Sequence, residues 1–519
     1  MDSGFRRNDG EPAHRLNRRE FMAATAPTNA PAFPTTLGHP RPLWMLFMSE
    51  FWERFAFYGM RWALTLYIVD QFFNGEASGQ GYASRTYGAY LALVYATSIF
   101  GGFVADRLLG YQRSILLGAV IMGLGLFTIT VPNQSIFVLG LALVITGNGL
   151  FKPNISSMVG QLYGEGDPRR DRGFTIFYMG INLGGFTAPI VTGWLASLLT
   201  NTPQHQNYRV VFVATGVGMI LSYLWFWFGR RQLGAIGRPP AGREGPQTML
   251  MVIVGAAIAV PIVYSLIQYV GAYWLAWLLA ALFIVVAVAL IVEGVRDGAV
   301  KRDRVIAMLA MFLFNVLFWM FFEQAGSSFN FLAENIVDRN LGGWEFPTGW
   351  FQSVNPLAIV VIAPLVALAW GWMSRRNVEP SIPRKFGLGL IGNALAFLVL
   401  MYALKNLVGP DNHIPFWPLV ACYVLQTLGE LCLSPIGLSM VTKLAPLRVV
   451  GLSMGGWFLS QAIGNNMSGL LAGSISGETG MTVQSALEGF TFSFYLLMGA
   501  GVVLFLIAPL INRLMHGVR

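Results

Sequence analysis

From Trp44 to Ile511 the chain repeats one pattern: a run of about 20 apolar residues, a short polar turn, then another run. At a helical rise of about 1.5 Å per residue, such runs match the hydrocarbon thickness of a bilayer. The pattern predicts fourteen helices, over residues 43–71, 86–106, 113–131, 135–160, 173–199, 209–229, 248–269, 272–294, 305–333, 348–373, 386–406, 415–442, 450–474 and 489–512. No interval between them is long enough for a soluble domain. The chain therefore reads as an all-α integral membrane protein.

Basic residues order these spans. Most Arg and Lys fall in alternate loops, while the other side keeps only Arg85, Arg209, Arg339 and Lys405. A miscounted span would scramble that asymmetry, so the span number is even and both termini are expected in the cytoplasm. Residues 1–42 and 513–519 are then cytoplasmic tails, the first one disordered. Arg18-Arg19-Glu20-Phe21-Met22 looks like a twin-arginine export signal, but the segment after it is too short and Pro-interrupted to be an apolar core. A basic Gly/Pro-rich stretch follows the sixth span, and spans seven and eight carry no ionisable residue before Glu293. They read as an inserted hairpin within a segment 230–304. Removing it leaves two six-helix bundles, 43–229 and 305–512, the layout of a two-halved secondary transporter. The segment Gly102-Phe-Val-Ala-Asp106-Arg107-Leu-Leu-Gly110-Tyr-Gln-Arg113, between spans two and three, resembles the cytoplasmic loop motif of major facilitator proteins.

Composition agrees with the pattern. The 519 residues are 55% hydrophobic and 11% charged, against about 25% charged in a soluble domain. The formal net charge of +9 is explained by loop topology, so it does not imply nucleic acid. Cys422 and Cys432 share one helix about 15 Å apart, too far for a disulfide. The sequence holds no Cys/His metal-ligand cluster, and no cofactor is expected.

Seven ionisable residues remain inside the spans: Arg54, Arg61 and Lys152, with Glu50, Glu53, Glu323 and Glu430. Each costs about 2.5–3.5 kcal/mol at mid-bilayer when ionised, so they must face one another or a watery cavity. At about 100° per residue, Glu50, Glu53, Arg54, Phe57, Tyr58 and Arg61 share one face of the first span. The set can be read as static ion pairs or as the lining of a substrate and ion path. Intramembrane ionisable residues favour the second reading. Three cations against four acids leave one negative charge, suited to one proton or one cationic ligand group. His14, His39, His205, His413 and His516 all lie in tails or loops. Any proton carrier inside the membrane must therefore be a carboxylate.

The run Glu50-Phe-Trp-Glu53-Arg54-Phe55-Ala-Phe57-Tyr58-Gly59 resembles the E-x-x-E-R-F-x-Y-Y-G motif of the proton-dependent oligopeptide transporter family, with Phe57 in place of its first Tyr. In chain order, Gly147–Asn154, Phe177–Gly184, Trp319–Gln324, Gln352–Pro356, Gly429–Pro435 and Gly455–Phe458 match further motifs of that family. The resemblance covers nearly all of 43–512. It implies a major facilitator fold and symport of di- and tripeptides with protons across the bacterial inner membrane, by a carrier functional as a monomer. By position, Glu50, Glu53, Arg54 and Lys152 would couple protons. Arg61 and Lys152 would attract the peptide carboxylate, and Glu430, Asn182 and Asn355 the amine. Tyr58, Tyr95, Tyr178 and Ser434 would add polar contacts, and Trp319 and Trp457 would shape side-chain pockets. Lys152 with Glu430, and Arg61 with Glu323, would close the two gates.

Packing explains some of these residues nearly as well: Tyr95, Trp319 and Trp457 as core, and, less favoured, Asn182 and Asn355 as partners of helix backbone. The main rival function is the same fold carrying nitrate, a drug or an amino-acid conjugate. An anion carrier has little use for Glu430 as an amine receptor. An enzyme would need a nucleophile–base or metal constellation, which the spans lack.

Overall fold

The computed structural model describes residues 33–164, 167–200 and 206–518. His14, His205, the twin-arginine segment and most of the expected N-terminal tail lie outside them. Fourteen helices of at least 20 residues follow in order: α1 (Arg41–Phe73), α2 (Gln80–Val104), α3 (Gly110–Ile129), α4 (Gln134–Gln161), α5 (Arg170–Leu198), α6 (Tyr208–Gly229), α7 (Pro246–Ser265), α8 (Gly271–Arg296), α9 (Ala299–Phe322), α10 (Val354–Arg375), α11 (Ile382–Asn406), α12 (Trp417–Leu444), α13 (Val450–Ser476) and α14 (Val483–Leu514). Ten helical stretches are long and apolar enough to cross a membrane, and two of them, Ala77–Ile129 and Pro246–Arg296, run through two helices each. Helices α1 and α13 are not among the ten. The first carries the charged motif, and the second is rich in Gly, Ser and Asn.

Local chemistry sets many helix ends. Pro42 starts α1, where its missing N–H costs nothing, and Asn74 ends it in the left-handed region at φ 53°. The Asn133 side chain accepts from the Ile136 N–H at the start of α4. Thr482 and Ser485 form a reciprocal cap on α14. Residues 35–40, inside the expected disordered tail, instead form a small antiparallel hairpin, and the Trp44 indole donates to the Thr36 carbonyl at 3.1 Å.

Helices α1–α6 pack as one bundle and α9–α14 as the other. The inserted α7 rests on α4 of the first bundle, while α8 rests on α9 and α13 of the second. Both ends of the described chain reach the same face of the molecule, here called the terminal end. Arg85, Arg209, Arg339 and Lys405 lie toward the opposite, far end, as the loop asymmetry requires.

The bundles meet chiefly through α2 against α13 and toward the far end. A Cβ on Gly88 would sit 2.7 Å from the Gly469 Cα, so only glycine permits this approach. Elsewhere between the bundles Thr65 of α1 donates to the Gly326 carbonyl at 3.1 Å, Asn330 to the Trp62 carbonyl at 2.8 Å, and Ser353 to the Phe186 carbonyl of α5 at 2.8 Å.

One span departs from expectation. The apolar run 305–333 was expected as a single helix, but α9 ends at Phe322. A 3-10 turn (Glu323–Gly326) and a short helix (Ser328–Asn335) follow. The turn frees backbone carbonyls, which side chains then satisfy. Gln352 donates to Ala325 at 3.1 Å, and Asn330 and Thr65 both donate to Gly326.

Candidate functional site

The predicted face of α1 carries two separate charge clusters. In the first, Arg54 bonds Glu53 through two nitrogens and lies 3.2 Å from Glu50. Asn148 on α4 donates to Glu53 at 3.1 Å, and the Arg54 guanidinium stands 5.0 Å from the Phe57 ring centre. Glu50, Glu53 and Arg54 are at most 4% exposed. One oxygen of Glu50 is buried with no hydrogen-bond partner among the described residues. A single guanidinium thus serves two carboxylates, and one carboxylate oxygen stays open to a proton.

The second cluster lies about 10 Å farther along α1. There Arg61 forms a 2.6 Å ion pair with Glu323 of the opposite bundle and donates to the Tyr87 hydroxyl at 2.8 Å. Tyr58 lies beneath this guanidinium, 5.7 Å from ring centre to carbon. The broken end of α9 places Glu323 here. A continuous helix would carry the following Gly326 carbonyl away from Thr65.

The remaining two charges make no ion pair with these clusters or with each other among the described residues. Lys152 has no carboxylate oxygen within 4.0 Å among the described residues, and its ammonium rests 4.3 Å from the Tyr95 ring centre. Glu430 accepts from Asn355 at 3.0 Å, and Asn355 also donates to Thr427 at 2.9 Å. The Lys152–Glu430 gate pair expected from the sequence is therefore not made. The Arg61–Glu323 pair joins the bundles toward the far end, and no ion pair joins α4 to α12 among the described residues.

Tyr58, Tyr95, Lys152, Glu430 and Ser434 are half-buried well inside their helices, Asn355 is half-buried in the first turn of α10, and Tyr178 is 40% exposed. Polar and charged groups at that depth cannot face hydrocarbon, so they require a polar or watery surrounding. Ser434 has a buried hydroxyl without a partner. The other expected site residues are packed or engaged. Asn182 donates to the Tyr178 carbonyl of its own helix at 2.9 Å. Trp319 is 7% exposed and donates to Asn315 at 3.1 Å, and Asn315 donates to Ser460 at 2.8 Å. Trp457 is fully enclosed by Phe312, Phe386 and Gly437.

Sequence reasoning missed Tyr87, Asn148, Thr427 and Asn315. Asn148 had a usable signal, because it precedes Lys152 by one helical turn and shares its face. Tyr87 had none, since its partner Arg61 lies on another helix.

A family model described as the POT family matches residues 112–486. The peptide transporter YePEPT of Yersinia enterocolitica is 36% identical over 520 residues, covering 95% of this chain and 98% of that protein. A di-/tripeptide transporter of Lactococcus lactis subsp. cremoris is 34% identical over 511 residues, covering 93% and 98%. The crystal structure of a peptide transporter, POT, in complex with sulfate superposes with a TM-score of 0.79 at 33% identity, covering 96% of this chain and 99% of the other. Two halves with an inserted hairpin, a charged first helix and matches along nearly the whole chain lead to one assignment: the chain belongs to the POT family, as a multi-pass membrane protein.

Proposed function

We propose that this protein takes di- and tripeptides into the cell by symport with protons, through alternating access of its two bundles. The observation that carries this reading is the uneven pairing of the buried charges. Arg61 and Glu323 pair across the bundles, while Lys152 of the first bundle and Glu430 of the second have no ion partner among the described residues.

A zwitterionic peptide has an ammonium and a carboxylate at a nearly fixed separation. Lys152, and Arg61 when released from Glu323, would take the carboxylate. Glu430, oriented by Asn355, would take the ammonium, with Asn182 and Ser434 near the same opening. Tyr58, Tyr95 and Tyr178 would hydrogen-bond the peptide backbone. Trp319 and Trp457 would limit side-chain space from behind. Protonation of Glu50 or Glu53 would loosen their hold on Arg54 and shift the balance around Lys152, which ties the proton to the substrate site. Peptide binding would compete with Arg61–Glu323 at one gate and with Lys152–Glu430 at the other. The halves could then rock.

On the positive-inside rule the basic loops favour a cytoplasmic terminal end, in a bacterial inner membrane. On this reading, 43–229 and 305–512 are the rocking units, 230–304 the linker and hairpin, and 1–42 and 513–519 cytoplasmic tails. One polypeptide contains the whole path, so a monomer suffices. Protons are the coupling ion, with no cofactor. Reconstituted protein given a pH gradient and labelled di-, tri- and tetra-alanine tests the proposal. Uptake of the first two above equilibrium supports it, and uptake of nitrate with no peptide competition would sink it.

A further inference from the structure

The linker between α6 and α7 does more than connect. It folds back over the start of α3, where Gln112 bonds the Gly237 carbonyl through its backbone N–H at 2.9 Å and the Ile236 carbonyl through its side chain at 2.6 Å. Gly110 makes this approach possible. Its φ is +70°, and a Cβ there would lie 2.4 Å from the Arg238 carbonyl carbon. The fold-back encloses a cavity of about 300 Å³ lined by Gln112, Arg113, Arg230, Arg238, Pro239 and Glu244.

Three guanidinium groups against one carboxylate leave this cavity with a surplus of two positive charges. Arg113 donates to the Glu244 carbonyl at 2.9 Å, Arg238 donates to the Gly234 carbonyl at 3.0 Å, and Arg230 stacks 3.6 Å above the Trp227 ring. Among the described residues none of the three has a carboxylate partner. Arg113 also stands in the first turn of α3, where the helix dipole opposes a cation and favours an anion.

A second cavity, of about 460 Å³, shares the walls made by Arg113 and Glu244 and continues along α7 past Met249, Leu250 and Ile253. Leu250 is 61% and Ile253 44% exposed on a helix apolar enough to cross a membrane. Just above, Trp227 and Phe228 are exposed at the end of α6, at the level where aromatic belts mark the membrane interface. A cationic pocket at that level opening directly into an apolar cleft has the two-part shape of one ligand class.

We propose that this site holds an anionic phospholipid, with its phosphate among Arg113, Arg230 and Arg238 and an acyl chain along the Leu250–Ile253 face of α7. The lipid would brace the inserted hairpin against the first bundle. Free phosphate would satisfy the arginines but leave the apolar cleft bare, and a zwitterionic phospholipid would bring an ammonium that the surplus positive charge repels.

Native mass spectrometry of the full-length protein in detergent tests this with added phosphatidylglycerol, phosphatidylcholine or inorganic phosphate. The expected result is one phosphatidylglycerol bound more tightly than phosphatidylcholine. The Arg113→Gln/Arg238→Gln double variant should bind phosphatidylglycerol roughly 30-fold more weakly, a larger loss than it shows for phosphatidylcholine. The Arg375→Gln/Arg513→Gln variant, with the same charge removed at the same end, should bind as the wild type does. Equal binding of the two lipids by the wild type overturns the proposal, whether or not the double variant folds. Full retention by the double variant also overturns it, as does displacement of phosphatidylglycerol by inorganic phosphate at matching concentration.

Discussion

Each buried charge is defined by the number of partners it has. Arg54 holds two carboxylates, Arg61 one carboxylate and a tyrosine hydroxyl, and Lys152 only a ring. Glu50→Gln keeps the size of the side chain and removes its charge. The expected outcome is loss of uphill, proton-driven uptake by one to two orders of magnitude, about 1.4–2.8 kcal/mol of coupling, with peptide exchange largely kept. Exchange lost in equal measure would make Glu50 structural. Lys152→Ala and Glu430→Ala should each weaken dipeptide uptake by tenfold or more, on the order of a lost charge-assisted contact. Full uptake by both would remove them from the substrate site.

Much of this was legible at the residue scale. A period of about 3.6 residues put Glu50, Glu53, Arg54, Tyr58 and Arg61 on one face, and so they lie. Periodicity says which face a residue occupies, not what meets it. The division of that face into two clusters came from Asn148, Tyr87 and Glu323, contributed by other helices.

Among the elements, hydropathy located all fourteen long helices to within a few residues at most ends. It failed where a helix breaks without turning polar. Phe322, Ala325, Gly326, Phe329 and Phe331 are as buried as a continuous span would make them, yet the backbone turns between them. The break is sustained by Gln352, Asn330 and Thr65, which no local pattern announces. The close seam of α2 and α13 was equally hidden, since glycines are common along the whole chain. Gly88→Ala should clash with Gly469 and cost about 1–3 kcal/mol, seen as a lower unfolding temperature and slower uptake. Gly451→Ala, on the same α13 but with open space around it, should change neither. Equal effects of the two would deny that the seam needs glycine.

At the scale of the molecule, an ion pair and the hydrogen bonds of Thr65, Asn330 and Ser353 join the bundles toward the far end, while no ion pair joins α4 to α12 among the described residues. With Cys422 and Cys432 replaced by serine, a cysteine at Tyr178 or Ser434 should react with a bulky, membrane-impermeant thiol reagent from the terminal end only. One at Ser353, whose hydroxyl bonds the Phe186 carbonyl of the other bundle, should react slowly from either side. Fast labelling of position 353 from the far end would place the opening on the wrong side. The even span count and the common end of both termini followed from the loop arginines alone. The present conformation did not, because the same charges can pair at either gate.

The central claim is that a proton gradient drives peptide uptake through the paired acids and the split clamp. Uptake of labelled di-alanine into sealed liposomes with an imposed pH gradient measures it directly. The account predicts accumulation above the external concentration, abolished by a protonophore and competed by tri-alanine but not by nitrate. Equilibration without accumulation, or release of free alanine, would contradict it.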